Sequence, residues 1–350
     1  MAEERPILAL GSAAFAISEY AAVLERYQID TIPLAGLTNN AGVTKAVADA
    51  VATRTASGKS PYVAFIWFFG TGRFSPFDAN MLLPLTQNGC RFFSGGGAGY
   101  DDVGTEWMTS EGAYYCNTPT AITASTANGA LMLILAATRP LTQGEIYTKA
   151  GKWRGDAAIP GDLIPYGEDI EGMTLGIIGM GSIGKALAAR AQACGMKLIY
   201  NNRRRIPQSE ENGARYVSMD DLLATSDVIS VNCPLTESTR HLLGRTEFSK
   251  MKTGVFIVNT ARGAIIDEEA LVEALKSGKV SRVGLDVVEH EPKINPGLLD
   301  PSLSYRVILQ PHTTGRTTQA FHKGELQIIK SLDEFMRGER PEYAVNDPKI

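Results

Sequence analysis

TLGIIGMGSIG (residues 174–184) runs straight into KALAARAQACG (185–195), and this pair of segments decides the fold. The apolar run 175–178 ends in Gly179, Gly181 and Gly184. The alanine-rich stretch that follows, with Leu187 and a closing Gly195, suits a helix of about three turns with a glycine stop. A glycine fingerprint set between a strand and a helix is the context in which such a loop holds a dinucleotide. Gly179 permits the tight turn, Gly181 lets a pyrophosphate approach the backbone, and Gly184 allows close helix packing. The helix start at Ser182 and Ile183 offers backbone N–H groups and a positive dipole end to the phosphates.

Outward from this point the chain alternates strands and helices. Apolar runs at 175–178, 197–200, 228–232, 255–259, 283–287 and 307–309 predict six strands of a doubly wound nucleotide-binding sheet. Upstream, runs at 7–10, 29–33, 62–69, 91–94 and 113–117 predict five more, with helical patterns at 12–27 and 44–56. That alternation argues for a smaller parallel α/β unit of flavodoxin-like kind. Residues 120–139 read as a long helix, apolar all round and ended by Pro140, to be buried between domains or subunits. The polar stretch 141–166 reads as an excursion from the compact unit. The last helical stretch, 317–337, supplies the helix that the first unit lacks. The expected organisation is therefore a discontinuous substrate domain, 1–119 and 315–350, with the dinucleotide-binding domain 120–314 inserted.

Two domains also suit a length of 350 residues, and 44% apolar residues is an ordinary globular value. A net charge of −4, with signs mixed along the chain, gives no support for binding nucleic acid or an acidic membrane. Cys90, Cys116, Cys194 and Cys233 form no CxxC pair, which argues against a metal site or a disulfide framework and for a reducing compartment. The start, MAEERPILAL, is unlike a signal peptide. The longest apolar runs fall short of the ~20 residues that span a bilayer. A cytoplasmic protein is expected.

In doubly wound sheets ligands bind beyond the carboxyl ends of the strands. There the sequence places Thr260-Ala261-Arg262-Gly263, then Glu289-His290-Glu291-Pro292, then Pro311-His312-Thr313-Thr314. A guanidinium grips a carboxylate with two parallel hydrogen bonds. An imidazole titrates near neutrality and exchanges a proton with a substrate. A neighbouring carboxylate favours the imidazolium and fixes which ring nitrogen faces the substrate. With a nicotinamide beside them, Arg262, Glu291 and His312 suit the interconversion of a 2-hydroxy acid and a 2-oxo acid. His241 and His322 lie in polar, helix-like surroundings and are read as surface residues.

Together, GMGSIG, NTARG, LDVVEHEP and LQPHTTG occur in the order seen in the D-isomer-specific 2-hydroxyacid dehydrogenase family, which this chain resembles from about residue 62 to 322. The resemblance implies that Arg262 binds the substrate carboxylate, Glu291 orients the imidazole and His312 is the acid/base. It implies NAD or NADP as cofactor, a small-molecule substrate, the discontinuous first domain, and a homodimer built on the long helix. SGGGAGYDDV matches the family's substrate loop, so backbone N–H groups near Ala98 and Gly99 are implied to meet the carboxylate. Thr126, Thr260, Ala261 and Asp286 fall at the cofactor, although Asp286 has the alternative of bracing its loop. Cys233 is placed on the adenine side, with a buried inert thiol as the plain alternative.

Two positions depart from the family pattern. Asn128 follows Thr126-Ala127 where an acid is usual. The second strand ends in Asn201-Asn202-Arg203-Arg204-Arg205, with no acid for the ribose hydroxyls. Asn202, Arg203 and Arg204 can instead receive a 2′-phosphate, or the arginines can be solvated surface charges. The likeness is to the family's fungal branch, which includes glyoxylate reductases and D-mandelate dehydrogenase. Trp67, Phe69 and Tyr100 lie at strand ends, either as core or as walls for a bulky substrate group. A D-mandelate-type substrate is the leading expectation and glyoxylate or hydroxypyruvate the alternative. A dinucleotide-sensing transcriptional corepressor is the alternative of another class; the chain shows no long polar tail of the kind that role would use.

Overall fold

Ile7–Leu10, the first strand (β1), is apolar at every position and buried throughout, as an interior parallel strand must be. It sits within the first of two units, formed by Met1–Ile122 with Thr317–Ile350; the second unit is Thr123–Arg316. The computed structural model describes residues 5–153 and 166–348.

The first unit is a five-stranded parallel sheet. After β1 come α1 (Ile17–Arg26), β2 (Ile29–Ile32), α2 (Asn40–Ala56), β3 (Ala64–Trp67), α3 (Ala79–Gln87), β4 (Phe92–Gly95), α4 (Thr105–Ser110) and β5 (Tyr114–Cys116). The order β2-β1-β3-β4-β5 is that of a flavodoxin-like sheet. Alternation along the strands splits the core. Leu8, Leu10, Phe65, Trp67 and Phe93 pack with Val47 of α2 and Met81 of α3. Ile7, Ala9, Ile66, Phe68 and Phe92 pack with Val23 of α1 and with Ile328, Ile329 and Leu332 of the returning helix, Thr318–Met336. That helix also supplies a carboxylate. Glu325, 1% exposed, accepts the N–H groups of Ala14, Phe15 and Ala16 at 3.0, 2.8 and 2.7 Å. The start of α1, which lacks a cap from its own N-cap residue, is thus capped from the far end of the chain.

The second unit opens with α5 (Thr123–Thr138) and α6 (Leu141–Lys149). Then follow β6 (Thr174–Ile178), α7 (Ser182–Ala193), β7 (Lys197–Asn201), β8 (Arg215–Tyr216), α8 (Met219–Thr225), β9 (Val228–Val231), α9 (Arg245–Lys250), β10 (Val255–Asn259), α10 (Glu268–Lys276), β11 (Val280–Leu285) and β12 (Val307–Leu309). The parallel order β12-β11-β10-β9-β6-β7-β8 reverses direction at β6, the switch point of a Rossmann-type sheet.

One expectation needs correction and two gain detail. The second sheet has a seventh strand, β8, whose two residues are too few to show alternation in sequence. The long helix is buried against its own sheet: Ala130, Leu133, Ile134 and Ala137 lie in the unit's core, while Met132 and Leu135 stay exposed. A Cβ on Gly284 of β11 would stand 2.9 Å from the Leu133 Cβ, so the glycine sets how closely the helix approaches. The excursion expected at 141–166 begins as a regular helix, α6; nearly all of its second half, 154–165, lies outside the described residues.

Candidate active site

The fingerprint loop is held open by its glycines. Gly179 has φ +100°, and a Cβ there would fall 2.5 Å from the Cys233 nitrogen. A Cβ on Gly184 would fall 2.3 Å from the Gly179 carbonyl oxygen, so the first turn of α7 closes directly on the loop. A Cβ on Gly181 would meet nothing within 4 Å, which leaves the backbone before Ser182 and Ile183 open to a ligand. Asn202 ties the end of β7 to this loop: its Oδ1 accepts the Met180 N–H at 2.7 Å. Its side-chain oxygen therefore serves the loop.

Beyond Asn202 the three arginines separate. Arg205 forks onto Glu211 at 2.7 and 3.0 Å, and the Tyr200 hydroxyl donates to the same carboxylate at 2.7 Å. These bonds hold the Glu211 carboxyl far below its usual range. Arg203 and Arg204 are exposed.

On α5 and beyond strands β9 and β10, the buried polar atoms without partners among the described residues include Thr126 Oγ1, Asn232 Oδ1 and Thr260 Oγ1. Buried orphans of this kind call for a ligand to satisfy them. With the open glycine loop they fit a bound dinucleotide. Cys233 borders the loop, and burial pushes its thiol up to about 11, which makes it an inert wall.

Asn259 shapes the turn after β10, its Oδ1 accepting from Ala261 N at 3.0 Å and its Nδ2 donating to Arg262 O at 2.8 Å. Arg262 Nη1 donates to the Ala261 carbonyl at 2.9 Å. His312 has φ +55°, in the left-handed region that non-glycine residues seldom enter. Asp286 holds it there. Its carbonyl accepts the His312 N–H at 2.8 Å. Its carboxylate, on a residue 2% exposed, accepts the N–H groups of Thr313 and Thr314 at 2.7 and 3.1 Å and the Thr314 hydroxyl. Of the two roles open to Asp286, bracing the loop is the one its bonds display. Gly129 of α5 lies against this loop; a Cβ there would fall 2.3 Å from the Thr314 Cβ.

So held, His312 Nδ1 lies 3.0 Å from Glu291 Oε2. Burial alone would raise the Glu291 carboxyl. The hydrogen bond and charge of His312, with the Arg262 charge nearby, outweigh burial and leave it below the usual range. An ionised Glu291 accepts a hydrogen bond from Nδ1–H, which keeps that proton on the ring and leaves Nε2 as the nitrogen for exchange with a substrate.

In the first unit, Gly97 has φ +143° and is fixed on both sides by Thr118, whose Oγ1 accepts the Gly97 N–H at 2.8 Å and whose N–H donates to Gly97 O at 2.9 Å. Asn117 Nδ2 donates to the Ala98 carbonyl at 2.6 Å, so Ala98 and Gly99 stand on an anchored turn. The aromatics divide. Trp67 is core, 3% exposed and stacked on Phe77 at 4.4 Å and Tyr115 at 5.6 Å, so it is no wall for a substrate. Phe69 stacks on Phe321 at 4.3 Å and stays part-exposed, and Tyr100 is 40% exposed. His322 lies on the returning helix, 3.4 Å from Glu19. His241 is not helical: it occupies a turn at φ +51° with Nε2 2.6 Å from Glu289. Asn128 Oδ1 accepts from Arg190 Nε at 2.6 Å, joining α5 to α7. Nothing in the sequence alone assigned a role to Asn232, Asn259 or Glu289. Asn259 ends β10 and Asn232 directly follows β9, so the rule that singled out Arg262 applies to them as well.

A Rossmann-type sheet with a glycine fingerprint and an Arg–Glu–His set at its strand ends defines a nicotinamide-dependent oxidoreductase. Residues 131–314 match the model of the NAD-binding domain of D-isomer-specific 2-hydroxyacid dehydrogenases. The chain is 36% identical to the solved glyoxylate reductase of Paecilomyes thermophila, covering 98% of each chain with a TM-score of 0.86. It is 27% identical to holo D-mandelate dehydrogenase of Rhodotorula graminis, covering 99% of each with a TM-score of 0.87. It is 43% identical over 257 residues to 4-methyl-2-oxopentanoate reductase A of Aspergillus oryzae, spanning 73% of this chain and 75% of that protein. The chain belongs to the D-isomer-specific 2-hydroxyacid dehydrogenase family, and its cofactor is NAD or NADP.

Proposed function

We propose that the protein reduces 2-oxo acids with a bulky apolar side chain, branched or aromatic, to D-2-hydroxy acids, with NADPH preferred to NADH. The observation that carries the chemistry is the His312–Glu291 contact at 3.0 Å. When bound, the reduced cofactor would supply the hydride for C2 of the oxo acid. Arg262 holds the carboxylate, and His312 donates the Nε2 proton to the carbonyl oxygen. Glu291 keeps Nδ1 protonated and balances the imidazolium. In the other unit, backbone N–H groups of Ala98 and Gly99 are assigned to the substrate. Thr126, Thr260 and Ala261 are assigned to the cofactor, as are the fingerprint residues Gly179 to Gly184.

The NADPH preference rests on Arg203 and Arg204, exposed beyond a strand end that lacks the ribose-binding acid. The bulky substrate is supported by the part-exposed Phe69 and Tyr100 and by the likeness to a 4-methyl-2-oxopentanoate reductase. Trp67 favours a second reading, glyoxylate or hydroxypyruvate reduction, because its indole is used up in the core. A kinetic panel of glyoxylate, hydroxypyruvate, 4-methyl-2-oxopentanoate and phenylglyoxylate, each with both cofactors, decides. The larger acids are expected to lead by tens to hundreds fold, the discrimination that a few well-placed apolar groups give. A higher kcat/KM for glyoxylate would hand the assignment to the second reading. No turnover of any of the four would favour a sensing corepressor.

A cytoplasmic homodimer completes the proposal. The four cysteines are unpaired, and exposed Met132, Leu135, Leu141 and Ile146 offer apolar surface on α5 and α6. Sedimentation at twice the monomer mass is the expected result, and a monomer at working concentration rejects the dimer.

A further inference from the structure

The loop that carries Glu291 is fastened by a second imidazole–carboxylate pair, one that proton transfer does not use. His241 Nε2 lies 2.6 Å from Glu289 Oε1. The backbone N–H of Glu289 donates in turn to Glu268 Oε1 at 2.6 Å, on a residue only 4% exposed. Glu289 is thus gripped at its side chain and at its backbone, two residues before Glu291.

The same histidine reaches the segment that carries Arg262. Its backbone N–H donates to the Ala264 carbonyl at 2.8 Å, and the Leu243 N–H donates to Ile265 O at 3.1 Å. Between the two segments there is no slack. A Cβ on Gly263 would fall 1.9 Å from the Val288 carbonyl carbon and 2.3 Å from the Glu289 nitrogen. His241 itself sits at φ +51°, a conformation a histidine keeps only when its surroundings hold it.

We infer that His241 is a positioning residue: its backbone fastened to the Arg262 segment and its imidazole to the Glu289 side chain, it sets the placement of Glu291 relative to Arg262. The inference rests on the roles given above to Arg262 and Glu291. A misplacement of about 1 Å in such a constellation costs on the order of a hundredfold.

The test compares His241→Ala with His241→Gln, whose amide nitrogen can still donate to Glu289. His241→Ala is expected to lower kcat by roughly tenfold to a hundredfold. NADPH binding, followed by fluorescence titration, should be unchanged. His241→Gln should recover most of the loss at a similar melting temperature. In a Glu291→Gln background the His241→Ala effect should largely vanish, since coupled residues are not additive. Wild-type kcat in His241→Ala overturns the inference. So does equal impairment of both variants in step with a lowered melting temperature, or an undiminished His241→Ala loss in the Glu291→Gln background. If Glu291→Gln alone is silent, the role assigned to Glu291 fails, and the clamp through it fails too. A clamp that fails while Glu291→Gln is impaired leaves the site assignment standing.

Discussion

His312→Ala is expected to lower kcat/KM by roughly 10²–10⁴-fold in both directions, the range for a lost proton-transfer group. The sign of the pH dependence follows from what each direction needs. Reduction begins with an imidazolium, which gives its proton to the forming hydroxyl, so it falls as pH rises through the imidazole titration. Oxidation begins with the neutral ring, so it falls as pH drops through that titration. Glu291, held below the usual carboxylate range, is ionised throughout both limbs. Its charge favours the protonated ring. Glu291→Gln keeps the shape and removes that charge. Both limbs should then move toward acid, and reduction at neutral pH should weaken most. The measurement is kcat/KM against pH in both directions for the wild type and Glu291→Gln; profiles that overlay reject Glu291 as the residue that tunes the base.

Arg262→Lys should cost at least ~2 kcal/mol of transition-state binding, a factor of about 30 in kcat/KM. The charge survives the change and the planar fork does not. An ammonium is a point charge and cannot make two parallel bonds to a carboxylate. The turn that presents the side chain is fixed by Asn259 through backbone atoms, so it should survive the substitution. The expected pattern is a steep loss for the oxo acid with NADPH affinity little altered. Near-normal steady-state kinetics in Arg262→Lys would remove the residue from the substrate site.

What could be read from the sequence was what local geometry dictates. The fingerprint glycines answer demands that the strand–loop–helix order itself makes: a turn at φ +100° for Gly179, an open backbone at Gly181 and the approach of α7 to the Gly179 carbonyl for Gly184. Arg262, Glu291 and His312 were legible because strand ends in a parallel sheet share one edge. Trp67 was not. The β3 strand is buried on both faces, so alternation cannot tell a core ring from a pocket wall, and its place is fixed by Phe77 and Tyr115 from elsewhere in the chain. His241 misled for a related reason. Polar neighbours suggested a helix, whereas the turn it occupies is held by Ala264 and Glu289, neither of which local sequence brings near. The two roles open to Asp286 likewise depended on where Thr313 and Thr314 return.

The carboxylate of Glu325 over the start of α1 makes the first unit a matter of timing. Residues up to Ile122 leave the ribosome well before the helix that covers Ile7, Ile66 and Phe68 and caps Ala14 to Ala16, which follows the whole second unit. At typical translation speeds of about 5–20 residues per second the wait is on the order of 10–45 s. The second unit, continuous in sequence, is complete before that helix appears. One face of the first sheet therefore spends the interval covered by α1 alone, and a nascent chain of this protein presents apolar strand surface to its surroundings that the finished fold buries.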